Sequence, residues 1–393
     1  MKLVIPATVL FLLWVSLSGS IVHGQSTSSY SLAWSPDGSY LAISVGNDVE
    51  VRDNTGQLLN TLTDLSPGNV WELSWSADGQ ELAVATESSI QVWNRPYNAS
   101  EALLRLTLTS SIPFLQFVEW SPNGQMIVAG GRSTRLDIWN ANTGQYITSF
   151  NNTSSAPVDL AWSPDSSRIA VGQIDVVTIW ALSTGAIESG LAFSNSLARI
   201  AFVKSLAWDP AGEVIVASTG EDSAIWLWNT LNQDREVFAL LTEGVRSLDW
   251  SPLGDQIVGS GFDGYIRVWD VSSRQMLQEI YTGSVVLSVA WKPDGQIFAF
   301  GATEGSVQFV ARAEPPPTAT PTPAPTQTGG GGQIAYDGGC TPPGGMTMLG
   351  AICGLNVSGG DTFYLTTGDD PALASGNRVA SGECTQSHIP PEG

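Results

Sequence analysis

The sequence predicts an all-β fold in which seven similar antiparallel sheets, each of four strands, are arranged around a common axis. Two observations support this. A tryptophan that ends an alternating apolar segment and precedes a tight turn occurs seven times in the 393 residues. A second position, usually also tryptophan, follows each first one by 18 to 20 residues. A repeat of about 40 residues with this pattern is one sheet that cannot bury both faces alone, so neighbouring copies must stack.

The first repeated position marks the innermost strand of each sheet. Its copies are separated by 41, 45, 42, 46, 42 and 41 residues. Apolar and polar residues alternate before it, as in residues 158–162, and this period of two with β-branched and aromatic residues predicts a strand. The seven first anchors are Trp34, Trp75, Trp120, Trp162, Trp208, Trp250 and Trp291.

A tight turn follows each first anchor. Residues 35–38 read Ser-Pro-Asp-Gly, in which proline sets φ at the second position and glycine adopts the left-handed conformation that closes a hairpin. Ala77 replaces the proline in the second copy. The copy at 163–166 ends in Ser166 instead of glycine, so we expect backbone strain in that turn.

Three further strands complete each repeat. A second apolar strand, such as residues 256–260, leads through a loop rich in glycine and acidic residues to a third strand, such as residues 265–269. A turn such as Asn-Thr-Gly then leads into a fourth strand. The third strand carries the second anchor, which is Arg52 in the first repeat and Phe309 in the last. In the other repeats it is Trp93, Trp139, Trp180, Trp228 and Trp269.

These motifs and the repeat length resemble the WD-repeat family of β-propellers. The resemblance covers residues 30 to about 313 and implies a seven-bladed β-propeller that binds other proteins. Only Trp269 and Asp270 form a literal Trp-Asp pair, and the Gly-His pair that often opens a family repeat is absent. We therefore expect the blades to cohere mainly through packing of tryptophan and β-branched residues. A bacterial origin fits these departures.

The chain divides into four segments by composition. Residues 1–24 form a predicted signal peptide, because a positive charge precedes an apolar run too short to span a bilayer. Residues 25–313 form the propeller, and residues 314–332 form a linker rich in Pro, Thr and Gly. Residues 333–393 form a small Gly-rich module that contains cysteines. We expect the mature protein to be secreted, periplasmic or at the cell surface, with no segment inserted in a membrane.

The seventh repeat leaves the ring one strand short. It supplies three strands before the prolines at 315–317. Cleavage of the signal peptide after Ser20 would leave residues 21–26 available as the fourth strand, whereas cleavage after Gly24 would not. A closed ring avoids a free sheet edge, so we expect the N-terminal segment to complete the seventh blade.

The terminal segments and several loops carry sites for covalent modification. The module is either a small β domain or partly disordered, and two of its three cysteines are expected to pair in an exported protein. Three pairings are open among Cys340, Cys353 and Cys384.

The Pro-Thr tract is either O-glycosylated or a bare spacer. N-glycosylation sequons begin at Asn98, Asn151, Asn152 and Asn356.

Composition disfavours several classes of function. The chain has 37 acidic and 16 basic residues, and a net charge of −21 disfavours nucleic-acid phosphates and anionic membranes as partners. The two histidines, His23 and His388, and all three cysteines lie outside residues 25–313. The propeller therefore lacks the residues for Ser-His-Asp or Cys-His catalysis and for a His-based metal site. We predict no enzyme, cofactor or metal, and a carboxylate-based enzyme is the less favoured alternative.

Acidic residues recur in the loop between the second and third strands in six of the seven repeats. Repetition places these loops on one face around the central channel, where they would attract a cation or a protein partner with a basic surface. The alternative is that each acid binds its own local backbone, and Asp263 fits this best. The third repeat has Arg132 instead. The candidates are Asp48, Glu87, Asp175, Glu221, Asp222, Asp263 and Glu304.

Two long connections between repeats, residues 97–117 and 187–203, offer further binding candidates. Their aromatic residues either bind a partner or cover their own blade. Trp71 and Trp226 are not anchors and either stack on sugars or pack between blades. The candidates in the two connections are Phe114, Phe193 and Phe202.

The sequence thus favours an exported, non-enzymatic scaffold that mediates protein–protein interaction through the propeller face and its loops. A propeller that binds carbohydrate or the cell envelope is the main alternative. Both hypotheses rest on the fold class, because no set of residues marks a reaction.

Overall fold

The computed structural model of the protein confirms the predicted all-β, seven-bladed propeller. It describes residues 31–63, 65, 68–151, 155–193, 202–220, 223–303 and 305–314, together with the backbone of 353–356 and 362–365. Six blades have four antiparallel strands and the seventh has three in the described residues. Over these ranges the chain forms no α-helix, and no helix there is long and apolar enough to cross a membrane.

Each blade follows the chain from an inner strand to an outer one. Blades 1 to 3 contain β1 (Leu32–Trp34), β2 (Tyr40–Val45), β3 (Asp48–Asp53), β4 (Leu58–Leu62), β5 (Val70–Trp75), β6 (Glu81–Thr86), β7 (Ile90–Asn94), β8 (Leu103–Leu108), β9 (Leu115–Trp120), β10 (Met126–Gly131), β11 (Arg135–Asn140) and β12 (Tyr146–Asn151). Blades 4 and 5 contain β13 (Asp159–Trp162), β14 (Arg168–Gly172), β15 (Val176–Ala181), β16 (Ala186–Ala192), β17 (Val203–Trp208), β18 (Val214–Thr219), β19 (Ala224–Asn229) and β20 (Arg235–Leu240). Blades 6 and 7 contain β21 (Val245–Trp250), β22 (Gln256–Gly261), β23 (Tyr265–Asp270), β24 (Met276–Tyr281), β25 (Val286–Trp291), β26 (Ile297–Ala302) and β27 (Val307–Ala311).

The apolar core lies between neighbouring blades. Second strands are buried along nearly their whole length, and in β22 every residue is buried. One apolar cluster joins Val92 of blade 2 to Trp120 and Ile127 of blade 3. Outer strands such as β8 are largely exposed. Stacking of blades therefore supplies the core that a single sheet lacks, as the repeat pattern predicted.

The ring closes through the inner strands of the first and seventh blades. The Trp34 indole N–H donates to the Ala290 carbonyl oxygen at 3.3 Å. Phe309 of β27 packs against Trp34 with 5.7 Å between the ring centroids. Residues 21–26, which we expect to form the fourth strand of the seventh blade, lie outside the described residues, so this closure stays a prediction.

The turns after the first anchors have the expected backbone. Gly38, Gly79 and Gly124 adopt the left-handed conformation, at φ of 69°, 67° and 72°. Ser166 adopts it as well, at φ of 61°, which confirms the strain expected where this turn lacks glycine. The Ser166 hydroxyl accepts a hydrogen bond from the Asn123 N–H at 3.0 Å, which offsets part of that strain.

A short antiparallel pair lies within the C-terminal module. It joins β28 (Cys353–Asn356) to β29 (Thr362–Leu365). The signal peptide, the linker and most of the module lie outside the described residues. The predicted segment boundaries and the pairing of the three cysteines therefore stay predictions.

Candidate functional site

The two faces of the propeller carry different parts of each repeat. Strands of a blade alternate in direction, so the turn after each first anchor and the turn between the third and fourth strands share one face, the turn face. The loops between the second and third strands and the connections between blades share the opposite face, the loop face. There, the Leu115 N–H at the end of one connection donates to the Glu87 carbonyl oxygen of a loop at 3.3 Å.

Acidic residues of the turn face bind their own turns. In blade 2 the Ser76 hydroxyl donates to Asp78 at 2.6 Å. In blade 4 the Ser163 hydroxyl and the Ser167 N–H donate to Asp165 at 2.5 and 3.0 Å. These hydrogen bonds lower the pKa of Asp165 to about 2 and hold the pKa of Asp78 below its usual value. The turn carboxylates are therefore acceptors that hold the turns together.

The first anchors connect neighbouring blades. The Trp75 indole N–H donates to the Ala33 carbonyl oxygen at 2.9 Å, and the Trp208 indole N–H donates to that of Ala161 at 3.1 Å. In both cases the acceptor immediately precedes the first anchor of the neighbouring blade, and Trp34 makes the same bond at the ring closure. Four of the seven first anchors therefore contribute hydrogen bonds between blades as well as the packing that the sequence predicted.

A cavity of about 400 Å³ opens in the central channel at the turn face. Its walls include residues that immediately precede first anchors, such as Ala33, Ser74 and Ala290. Side chains alternate along a strand, so the residue three positions before an anchor faces the channel as well. Four acidic residues occupy such positions, and these channel carboxylates are Glu72, Glu119, Asp159 and Asp249.

Each channel carboxylate accepts a hydrogen bond from the backbone of the next blade. Glu72 accepts from the Val118 N–H at 2.7 Å, and Glu119 accepts from the Trp162 N–H at 2.9 Å. The two aspartates accept from β17 and β25 at 2.8 and 2.6 Å. Serines take the same role elsewhere, as Ser74 does toward blade 3 at 2.9 Å. The channel side chains therefore join the inner strands of successive blades from blade 1 to blade 7.

Desolvation raises the pKa of all four channel carboxyls, because the surrounding blades shield these half-buried side chains from much of the solvent. The pKa is raised to about 8 for Glu119, about 7 for Asp249 and about 6 for Asp159. The pKa of Glu72 lies well above its usual value, since the charges of Asp159 and Glu119 add to the effect of burial. Part of this cluster therefore carries protons near neutral pH. No group of His, Cys, Asp and Glu within the described ranges is placed to hold a metal ion.

Sequence reasoning did not single out the channel carboxylates, although a signal was present. Each lies one or three positions before a first anchor, in a strand whose alternation was already clear. Which side of that alternation faces the channel depends on how seven sheets close into a ring. The acids of the loops stood out instead because they recur in more of the repeats.

The predicted acidic loop residues lie on the loop face, distributed over different blades. Those described are Asp48 (blade 1), Glu87 (blade 2), Asp175 (blade 4) and Asp263 (blade 6). The others, Glu221, Asp222 and Glu304, lie outside the described residues. Asp263 accepts a hydrogen bond from the Tyr265 N–H at 3.0 Å and forms an ion pair with Arg267 at 2.8 Å. This local pairing is the structural role that the sequence offered as the alternative for Asp263.

The three predicted aromatic residues differ in exposure. Phe114 is 43% exposed and lies at a left-handed φ of 51°. Phe193 is 5% exposed and packs against Trp226 with 5.7 Å between the ring centroids. Phe202 is partly exposed and pairs with Ile174 through an isolated β-bridge. Phe193 is therefore a core residue between blades 4 and 5, whereas the ring of Phe114 is open to a partner.

The loop face also carries three cationic side chains stacked on phenylalanine rings, here called the cation–aromatic pairs. They are Arg132 on Phe114 (4.7 Å from the charged group to the ring centroid), Lys204 on Phe202 (5.6 Å) and Arg246 on Phe262 (5.9 Å). Phe262 is 41% exposed. The sequence did not mark Arg246 or Phe262, because they are 16 residues apart and meet only after blade 6 folds.

Comparison with known proteins supports the repeat assignment. The family of the WD domain, G-beta repeat, matches residues 56–94, 197–229 and 238–270. Each matched segment ends with the third strand of a blade, in blades 2, 5 and 6. The chain therefore carries WD40 repeats within a seven-bladed propeller.

Curated relatives match about half of the chain. "Periodic tryptophan protein 2" of Arabidopsis thaliana is 26% identical over 194 residues, 49% of this chain and 21% of the relative. "Guanine nucleotide-binding protein subunit beta" of Oryza sativa subsp. indica is 25% identical over 225 residues, 53% of this chain and 58% of the relative. "APC/C activator protein CDC20" of Saccharomyces cerevisiae is 26% identical over 221 residues, 45% of this chain and 36% of the relative. The chain thus spans less than two thirds of each, and all three are eukaryotic, so the bacterial origin stays a prediction.

Proposed function

We propose that the protein is an exported, non-enzymatic scaffold that binds a protein partner through its loop face. The observation that carries this proposal is the half-exposed ring of Phe114, stacked with Arg132 on a rigid support. The Ser110 hydroxyl donates to Asp137 at 2.6 Å, and the Ile112 N–H donates to Ser110 at 2.9 Å, so the loop before Phe114 is tied to blade 3. Aromatic residues and arginine are enriched at the centres of protein interfaces.

The names of the relatives support a role in protein assemblies. The rice relative is by name a subunit of a guanine nucleotide-binding protein, and the yeast relative is by name an activator of the APC/C. Both names describe proteins that act together with other proteins. A rigid ring of blades suits such a role, because it holds loops of variable sequence in fixed positions.

The non-enzymatic part of the proposal is supported by the chemistry of the propeller. Residues 25–313 contain no histidine or cysteine. The channel carboxylates have raised pKa values, which often mark catalytic groups, but each accepts a hydrogen bond that joins two blades. A structural role therefore accounts for these acids, and a carboxylate-based enzyme stays the weaker alternative.

The carbohydrate alternative has less support on the loop face. Trp226 is packed against Phe193, and Trp71 is partly buried at the start of β5. A sugar-stacking platform needs one open face of the ring, and neither indole is among the large hydrophobic side chains that the described residues expose.

Site-specific photocrosslinking tests the proposed interaction. A benzophenone amino acid would replace Ile174 on the loop face or, as a matched control, Leu253 on the turn face, which are 38% and 53% exposed. Each full-length variant would be irradiated in envelope and culture-supernatant fractions of the cells that produce it. We expect crosslinks to a protein from position 174 and none from position 253. Crosslinks only from position 253, or none from either, would contradict binding through the loop face.

Export is tested separately by the mature N-terminus. We expect N-terminal sequencing of protein from the supernatant or envelope to begin after Ser20 or Gly24. Recovery of the chain only inside cells with Met1 retained would contradict export and leave the loop-face proposal standing.

A further inference from the structure

We propose that the loop face of blades 3 to 6 is the docking site for an acidic peptide segment that carries an aromatic or large aliphatic side chain. This inference rests on the proposed function, because it names the class of partner for the same face. The residues that define the docking site are Phe114, Arg132, Ile174, Lys204, Arg246 and Phe262.

The first observation concerns the partners of the positive charges. Eight of the described arginine and lysine side chains form an ion pair with a carboxylate. Arg132 and Lys204 form none with a described carboxylate, although the chain has 37 acidic residues. Both are exposed on the loop face. A carboxylate supplied by another molecule would therefore meet cations that the described part of the protein leaves uncompensated.

The second observation is that these cations are held in place before any partner arrives. The Arg132 guanidinium lies over Phe114, and the Arg132 N–H donates to the Phe114 carbonyl oxygen at 3.1 Å. Gly131 leaves room for that carbonyl, since any side chain there would collide with it. A stacked guanidinium keeps its N–H groups directed outward, so less conformational entropy is lost when a carboxylate binds.

Blades 5 and 6 also stack a cation on a phenylalanine ring, and the two cations occupy equivalent positions in their blades. Lys204 and Arg246 are each the extra residue of a β-bulge at the start of an inner strand, four positions before Trp208 and Trp250. Lys204 lies directly over Gly220, where an added side chain would collide with it. The bulges direct the two cations onto the loop face at the mouth of the channel, on adjacent blades.

The third observation is the apolar surface between the charges. Phe114 of blade 3, Ile174 of blade 4 and Phe262 of blade 6 are 43%, 38% and 41% exposed. These side chains alternate with the cations across four consecutive blades. A partner that offers only carboxylates would leave this surface in water, whereas one with an aromatic or aliphatic side chain would bury it, which favours binding.

The charges nearby favour an acidic partner over a basic one at this site. Asp263, the described acid of the blade 6 loop, is already paired with Arg267 at 2.8 Å. Asp175, the loop acid of blade 4, lies next to Ile174 and is already engaged by another group of the protein. A basic segment would bring its charge toward Arg132 and Lys204, which opposes binding.

Selection from a random peptide library tests the inference. A phage-displayed library of random 12-residue peptides would be panned on the immobilised full-length protein, with free Arg132→Gln protein as competitor to remove peptides that bind elsewhere. We expect the selected peptides to be enriched in Asp and Glu together with Phe, Tyr, Trp or Leu. Enrichment of Lys and Arg, or no enrichment at all, would overturn the inference.

Affinities of one selected peptide then test the residues. Fluorescence polarisation with the labelled peptide should show Kd raised at least about tenfold by Arg132→Gln and by Phe114→Ala. The matched controls are Arg274→Gln and Leu231→Ala on the turn face, 50% (side chain) and 67% exposed, which should leave Kd unchanged. Equal affinity of all four variants would overturn the inference. Should Phe114→Ala misfold, Arg132→Gln decides the result, because it removes an exposed side chain.

The two proposals can fail separately. Crosslinking of a protein from position 174 combined with basic or absent library peptides would reject the acidic partner and keep the scaffold. Absence of any protein crosslink from the loop face would reject the scaffold itself.

Discussion

The turn face and the loop face are built by the same seven repeats but differ in what they do with their polar groups. On the turn face a serine hydroxyl donates to the acid or amide two residues later, and this bond recurs in blades 1 to 4 at 2.5 to 2.8 Å. On the loop face the corresponding loops differ from blade to blade. In blades 4 and 6 the loop has a residue at positive φ, Asp175 or Gly264, whereas in blade 3 the loop arginine stacks on Phe114.

This difference separates structural residues from candidate binding residues. A contact that every blade needs must recur, because each blade packs against the next in the same way. A contact with a partner need not recur in every blade, since a partner binds the ring from one side. Recurrence in blades 1 to 4 therefore marks the serine–acid contacts of the turn face as structural, whereas the cation–aromatic pairs, found on blades 3, 5 and 6, are candidates for function.

The largest expected effect is the loss of a first anchor. Trp75→Ala removes a side chain that is 6% exposed and its hydrogen bond to Ala33, so the free energy of unfolding should fall by about 3–5 kcal/mol. Urea unfolding followed by far-UV circular dichroism measures this. Phe114→Ala is the matched loop-face variant, and a loss there as large as that of Trp75→Ala would break the distinction between the faces.

The channel carboxylates predict that stability falls as pH rises. Their pKa values are raised in the folded protein, so their contribution is fully present below the unfolded values near 4 and is lost as pH passes the folded values. For Glu119 that loss extends to about pH 8. We expect Tm to fall between pH 5 and pH 9, and Glu119→Gln to reduce the slope while its amide oxygen still accepts from Trp162. Thermal unfolding across this range measures the slope, and an unchanged slope in the variant would contradict the raised pKa.

A turn-face carboxylate should show the opposite dependence. The pKa of Asp165 is lowered to about 2, so its contribution is present above the unfolded value near 4 and is lost as pH falls toward 2. Asp165→Asn should reduce the free energy of unfolding by about 1 kcal/mol at neutral pH, since the charged acceptor is lost. The difference from the unmodified protein should disappear near pH 2. A difference that persisted there would show that the charge of Asp165 is not the cause.

The smallest expected effect is at the exposed aromatic of the loop face. Phe114→Gly removes a half-exposed ring but relieves a left-handed φ of 51°, so the free energy of unfolding should change by no more than about 0.5 kcal/mol. Binding of the selected acidic peptide should nevertheless be lost. A drop in the free energy of unfolding of several kcal/mol would show that Phe114 has a structural role, like the residues of the turn face.

Local patterns predicted the strands and turns because their causes are local. The alternation of apolar and polar residues and the turn preferences of proline and glycine each depend on about four to six neighbouring residues. The inner strands, the anchor turns and even the strained Ser166 could therefore be anticipated. The position of the channel carboxylates could not be anticipated in this way. The alternation around Glu119 shows that its side chain lies on one side of a sheet, but it does not show that this side faces the channel. The pairing of Arg246 with Phe262 depends on the bulge that starts β21, and nothing in the sequence marked that bulge.

The sequence by itself determined the number of blades, the order of their strands and the positions of both anchors, because a repeat with a fixed spacing allows only one way of stacking. Tertiary structure alone decided which residues face the channel, which aromatic rings are covered and which cations lack a described partner. Those properties depend on how neighbouring blades approach one another. The buried Phe193 and the exposed Phe114 show this most directly, since both occur in long connections and only packing distinguishes them.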